Sequence, residues 1–86
     1  MNSKNRKALA DAERIFTFAV NASIEQLRII IEDMYEKENE KMDNLPEALQ
    51  ETSSGLCIAD AIEMLEDKLN SLEVISEEIE NSFFMQ

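Results

Sequence analysis

Eighty-six residues are enough for one small domain, and an apolar content of 44% excludes a disordered acidic tail. Nineteen acidic residues against eight basic ones give a net charge of −11, which disfavours direct binding to nucleic acid or to an anionic membrane. Four bases and two acids give residues 1–14 a charge of +2, so the remaining chain carries −13. We expect an acidic surface that attracts basic proteins, or that serves only solubility.

The first predicted element is a helix over about residues 4–42, because no proline or glycine interrupts this stretch. Its apolar residues recur at steps of three and four, which is typical of a helix that packs along one side. They are Leu9, Ala12, Phe16, Val20, Ile24, Leu27, Ile31, Met34 and Met42. A second stripe, displaced around the helix, contains Ile15, Phe18, Ala22 and Ile29 or Ile30. One partner helix cannot cover both stripes.

The only proline and the only glycine lie in residues 43–55, which we predict to connect two helices. A short helical turn is expected over residues 46–50, with Asn44 as its cap and Pro46 in its first turn. The residues from Thr52 to Gly55 are expected to make a second bend.

The second helix is predicted over about residues 55–82, capped by Ser53 or Ser54. Its apolar stripe contains Ile58, Ile62, Leu65, Leu69, Leu72, Ser76, Ile79 and Phe83. If the two helices pack antiparallel, residue k lies roughly opposite residue 98 − k. This register gathers Phe83 and Phe84 near Ile15 and Phe16, at the end away from the connector.

These elements predict an all-α fold, an antiparallel helical hairpin that forms a single domain over residues 1–86. Two helices bury little apolar surface, and an isolated hairpin of this size is marginally stable. A homodimer forming a four-helix bundle would bury the second stripe, to which Phe84 also contributes. The alternative is that another protein covers this stripe.

Cys57 is the only cysteine, which excludes an internal disulfide and favours a reducing cytoplasm. The chain has no histidine to activate this thiol, so we expect Cys57 to be a small buried side chain. The longest apolar runs, such as residues 29–31, are far too short to span a membrane. We predict a soluble cytoplasmic protein.

Carboxylates recur at steps of three and four along both helices, and they form the candidate partner-binding face. They include Asp60, Glu63, Asp67, Glu73, Glu77 and Glu80 on the second helix, and Glu32, Glu36 and Glu40 on the first. Pairs one turn apart, such as Glu73 and Glu77, cost a few tenths of a kcal/mol each, so helix stability does not explain them. Twenty helical residues extend roughly 30 Å, comparable to one turn of DNA. Such a face can occupy the nucleic-acid site of an enzyme.

An enzymatic alternative starts from the paired acids, because Glu36 with Glu40 and Glu63 with Glu66 resemble the magnesium-binding motifs of all-helical nucleotide pyrophosphohydrolases. Those enzymes also need basic residues for phosphate, and the second helix offers only Lys68. The chain is also short for that fold. We therefore predict no enzymatic activity, no cofactor and no metal site.

The connector, from Asp43 to Gly55, resembles the D-N-L-P-E-x-L-Q-x-S-x-x-G connector of small helical proteins from bacteriophages and mobile elements. The resemblance covers about half of the chain and continues into the leucines of the second helix. Those proteins tend to carry a basic residue where this chain has Ser54. The resemblance implies a phage-type accessory protein and supplies no known active site.

Together these observations predict a small acidic protein that acts by protein–protein binding. It would inhibit a host nucleic-acid-handling or defence enzyme by covering the basic surface of that enzyme. The alternative is a structural or assembly protein that works through its exposed apolar helix face.

Overall fold

The computed structural model describes residues 1–84 and shows two long helices joined by a short turn. Helix α1 spans Ser3–Asn44, a 3₁₀ turn spans Glu47–Leu49, and helix α2 spans Ser53–Ile79. A π-helical turn, Glu80–Phe84, continues α2. The described residues contain no strand. The predicted all-α hairpin is therefore confirmed.

The ends of α1 follow from local hydrogen bonding and from the proline that comes after it. The side chain of Asn2 accepts a hydrogen bond from the backbone N–H of Asn5 at 2.8 Å, which caps the first turn. Leu45 adopts an extended backbone, with φ −78° and ψ 127°. A residue before proline is disfavoured in the helical region, so Pro46 ends α1 at Asn44.

The caps expected in the connector are wrong. Asn44 is still part of α1, Pro46 precedes the 3₁₀ turn, and no side chain caps that turn. Thr52 takes the position before α2 that was predicted for Ser53 or Ser54, and its hydroxyl donates to the carbonyl of Leu49. The helix begins at Ser53, two residues before the predicted start at about residue 55, because the Thr52 carbonyl already accepts from the N–H of Leu56 at 2.9 Å.

Gly55 is buried within the first turn of α2, so the bend predicted at this residue is also wrong. The described chain contains no glycine with positive φ. A Cβ at Gly55 would lie 2.7 Å from the Cα of Gln50 and would also overlap the Gln50 carbonyl. Gly55 therefore allows the connector to lie directly against α2.

The contact between the two helices is a narrow seam. On α2 the predicted stripe is confirmed, because its members from Ile58 to Ile79 are all buried or half-buried. On α1 the seam residues are Thr17, Val20, Ile24, Ile31, Tyr35 and Met42.

The predicted stripe on α1 is only half right. Leu9, Phe16, Leu27 and Met34 remain 46–50% exposed. The predicted stripe combines residues of the seam with residues of a neighbouring face of α1. Both groups recur at steps of three and four residues, so their spacing does not distinguish them.

Two side-chain contacts fix the antiparallel register. The rings of Phe16 and Phe83 meet edge to face with centroids 5.2 Å apart, and the Tyr35 hydroxyl donates to Glu66 at 2.8 Å. The predicted register places residues 82 and 63 opposite Phe16 and Tyr35, so it is correct to within one helical turn. The predicted gathering of aromatic residues at the open end is confirmed for Phe16 and Phe83.

The hairpin is a thin rod of 68 × 16 × 16 Å. Its accessible surface is 6784 Å², against about 5,200 Å² for a compact protein of this mass. Only Ile31, Leu65 and Ile79 are buried apolar side chains among the described residues. Most apolar side chains of this hairpin therefore remain partly open to solvent.

Candidate protein-binding surfaces

The hairpin has two long sides of different chemistry, one on either side of the seam. On α1, Ile30 and Glu32 are two positions apart and point in roughly opposite directions. On α2, Met64 and Glu66 are related in the same way. A groove runs along each side; five carboxylates line one groove, and three carboxylates with more large apolar side chains line the other.

The first side, called the acidic side below, is lined by carboxylates from both helices. They are Glu25 and Glu32 from α1, and Glu73, Glu77 and Glu80 from α2. Arg28 lies among them, and its guanidinium donates to Glu25 at 3.1 Å and to Glu32 at 2.7 Å. These two hydrogen bonds raise the pKa of Arg28 above its ordinary value. The α1 half of the acidic side is thus partly neutralised.

The α2 half of the acidic side is not neutralised. All five ion pairs found among residues 1–84 lie within α1. From Ser53 to Phe84 there are eight carboxylates and one lysine, Lys68, which gives this segment a charge of −7. The acidic side therefore offers α2 carboxylates to any cationic group that approaches it.

The acidic face predicted from the sequence divides between the two sides of the hairpin. Glu73, Glu77 and Glu80 line the groove on the acidic side, whereas Asp60, Glu63 and Asp67 line the opposite groove. The division occurs because Asp67 and Glu73 are six residues apart, which leaves them about 120° apart around the helix. Glu36 and Glu40 are exposed on α1 beyond the grooves.

The second side, called the apolar side below, has a groove whose large exposed apolar side chains are Leu27, Ile30 and Met34 from α1 and Met64 from α2. These four side chains are between 47% and 56% exposed. Three carboxylates and Lys68 of α2 line the groove as well. Steps of three and four residues extend the apolar side to Leu9 and Phe16 on α1, and to Cys57 and Ile75 on α2. The spacing of Leu27 and Met34 also fits the seam, so the prediction that these two residues face α2 is wrong.

Cys57 is exposed, so the prediction of a buried side chain is wrong. Cys57 precedes the seam residue Ile58 by one position, which rotates it by about 100° around α2 and places it on the apolar side.

The second apolar stripe predicted on α1 lies on the outer face of that helix. Ile15, Phe18 and Ile29 are 71%, 78% and 55% exposed, and Ala22 is also exposed. Phe18 and Ala22 border a shallow hollow next to Phe83. The side chain of Phe84, predicted to join this stripe, lies outside the described part of the structure.

The acids considered for a magnesium site lie on different surfaces. Glu66 accepts the hydrogen bond from Tyr35, whereas Glu63 borders the apolar side. No three potential metal-ligating side chains in residues 1–84 come together in a group that could hold a metal ion. Neither long helix, over its described length, has an apolar stretch sufficient to cross a membrane.

Comparisons with known proteins give no further assignment. The chain matches no protein-family model, no curated protein and no solved structure.

Proposed function

We propose that this protein is a small acidic accessory protein of the phage type that acts by binding another protein. It covers the basic surface of a host nucleic-acid-handling or defence enzyme and thereby inhibits that enzyme. The observation that carries the proposal is the set of α2 carboxylates, which have no cationic partner among the described residues. The resemblance of the connector to those of phage proteins supports the proposed origin.

Helix stability does not account for these carboxylates. Glu73 and Glu77 lie one turn apart, and such like-charged pairs destabilise a helix by a few tenths of a kcal/mol. On α1 the pattern is different, because Arg28 bridges two glutamates and Lys37 pairs with Asp33 at 2.8 Å. An external basic surface would offset the repulsion along α2.

The density of charge indicates what kind of contact to expect. The segment 53–84 is about 48 Å long at 1.5 Å per residue, so a charge of −7 amounts to about one charge every 7 Å. Duplex DNA carries one charge per about 1.7 Å. The carboxylates are therefore much less densely spaced than the phosphates of DNA. They would compete with DNA through a few individual ion pairs, and their charge would attract a basic partner over a distance.

We further propose that the active form is a homodimer in which two hairpins form a four-helix bundle. One hairpin leaves many large apolar side chains exposed on both helices, and pairing would bury part of them. A second candidate function, a structural or assembly protein, is favoured by a separate observation. The outer face of α1 presents Phe18 and Ile15 at 78% and 71% exposure, and a partner could bind there.

The proposal is tested by capturing partners from host lysate at low and at high salt, with three versions of the protein. The first is the natural chain, and the second reverses Glu73, Glu77 and Glu80, which all line the acidic side, to lysine. The matched control reverses Asp43, Glu47 and Glu51 near the connector, which changes the net charge by the same amount.

We expect the natural chain and the connector control to retain a nucleic-acid-binding enzyme at low salt and to release it at high salt. The α2 variant should fail to retain it. Equal capture by all three versions would mean that the α2 carboxylates serve solubility only. Loss in the connector control alone would place the binding surface at the connector.

A further inference from the structure

We infer that the apolar side of the hairpin is the surface on which a second copy of this chain packs. This inference rests on the homodimer proposed above and names the face that builds it. The sequence pattern alone predicts that the second copy packs on the outer face of α1, which contains Phe18 and Ile29. The two faces point in different directions, so they make different predictions.

The arrangement of residues on the apolar side is that of a bundle helix with two seams. On α1 the apolar side follows Phe16, Ala19, Ser23, Leu27, Ile30 and Met34. On α2 it follows Cys57, Ala61, Met64, Lys68, Ser71 and Ile75. Steps of three and four connect all of these positions, and Lys68 is the only charged residue among them. Each helix therefore has a second apolar stripe beside the seam that it uses within the hairpin.

Both helices turn their second stripe to the same side of the hairpin. Leu27 and Ile30 of α1 and Met64 of α2 line one groove together. The combined apolar sector on each helix is wide enough to contact two neighbours, which is the pattern of helices in a four-helix bundle. The outer face of α1 has no such counterpart, because Ile15, Phe18 and Ile29 point away from α2.

The charge distribution favours a second copy as the occupant. Two chains of −11 repel each other, and the repulsion is smallest where carboxylates are fewest. The groove on the apolar side is lined by three carboxylates and Lys68, whereas the groove on the acidic side is lined by five carboxylates and Arg28. In a two-fold pair Lys68 of one copy can face carboxylates of the other, so the apolar side is the less repulsive of the two.

The area available is sufficient. The chain exposes 6784 Å², which exceeds the value for a compact protein of its mass by about 1,600 Å². A standard protein interface buries about 800 Å² from each partner. The rod as a whole therefore has surface to spare for one such interface, and packing through the apolar side leaves the acidic side open.

The test combines the mass in solution with two matched double variants. Light scattering should give the natural chain twice the mass of 9.9 kDa. Ile30→Glu with Met34→Glu, on the apolar side, should reduce the mass to that of one chain, because each added carboxylate would be buried unpaired. Phe18→Glu with Ile29→Glu, on the outer face, should leave the dimer intact. Circular dichroism checks that both variants remain helical.

The outcomes separate the two proposals. A natural chain with the mass of one molecule overturns the homodimer itself. A dimer that survives the apolar-side variant, or that is lost in the outer-face variant, overturns the assignment of the face while the homodimer stands.

A measurement on the natural cysteine covers the case in which the variants fail to fold. In the dimer, the Cys57 thiol should react with a maleimide at least about ten times more slowly than a cysteine placed at Ala22 in a Cys57→Ala chain, a difference of about 1.4 kcal/mol in accessibility. Equal rates in the dimeric protein would contradict the inference.

Discussion

Phe16 of α1 and Phe83 of the π-helical turn meet edge to face, with their planes at 64° and their centroids 5.2 Å apart. This contact closes the hairpin at the end away from the connector. Beyond it, α1 continues for about three more turns towards Ser3. Among the described residues, the pair therefore lies at the end of the contact between the two helices.

Replacing Phe83 with alanine should destabilise the protein by about 1–2 kcal/mol, less than a fully buried ring would lose, because Phe83 is 36% exposed. The free energy of unfolding from urea denaturation measures this loss. Phe18→Ala is the matched control, since Phe18 is 78% exposed and should change stability by less than about 0.5 kcal/mol. Equal losses in the two variants would contradict the packing described for Phe83.

Gly55→Ala should destabilise the protein by about 1–3 kcal/mol, because the new methyl group would collide with the backbone of Gln50. Inside an ordinary helix the same substitution stabilises by up to about 1 kcal/mol, so the sign of the effect is diagnostic. Ser54→Ala, at the exposed neighbouring position, serves as the control and should have little effect. A gain in stability for Gly55→Ala would show that the connector does not lie against α2.

Tyr35→Phe should lower stability by about 0.5–1 kcal/mol, through loss of the hydrogen bond that joins α1 to α2 at Glu66. A double-mutant cycle with Glu66→Ala isolates this contact from the other effects of each substitution. The coupling energy between the two positions should be favourable. A coupling energy of zero would show that the hydrogen bond between Tyr35 and Glu66 does not stabilise the protein.

Added salt should stabilise the protein. The carboxylates of α2 repel one another without a cationic partner in the described chain, and this repulsion is screened at high ionic strength. Raising sodium chloride from about 50 mM to about 500 mM should raise the melting temperature by a few degrees. The melting temperature of the variant with lysine at Glu73, Glu77 and Glu80 should respond less to salt. A fall in melting temperature would mean that the α1 ion pairs dominate.

The sequence predicts the fold well where a helix has a single apolar stripe. On α2 the predicted stripe is confirmed from Ile58 to Ile79, whose members are all buried or half-buried, and Phe83 contacts Phe16 of α1. On α1 two apolar stripes run side by side, and no spacing rule tells which one meets α2. The prediction that Leu27 and Met34 pack against α2 is therefore wrong, and the spacing alone does not reveal the apolar side.

Other differences have local causes. A glycine after several polar residues is typical of a bend, and only the position of Gln50 reveals that Gly55 is required by close packing. The carboxylates of α2 recur at steps of three and four residues except for one step of six, from Asp67 to Glu73. That step places the two groups on different sides of the hairpin.

The central claim is that the α2 carboxylates bind a basic surface of another protein. The most direct test is the affinity between this protein and its captured partner, measured as a function of sodium chloride concentration. The account predicts that affinity falls steeply as salt rises, and that lysine at Glu73, Glu77 and Glu80 removes both the binding and its salt dependence. An affinity that stays constant or increases with salt would contradict the claim and would favour binding through an apolar face.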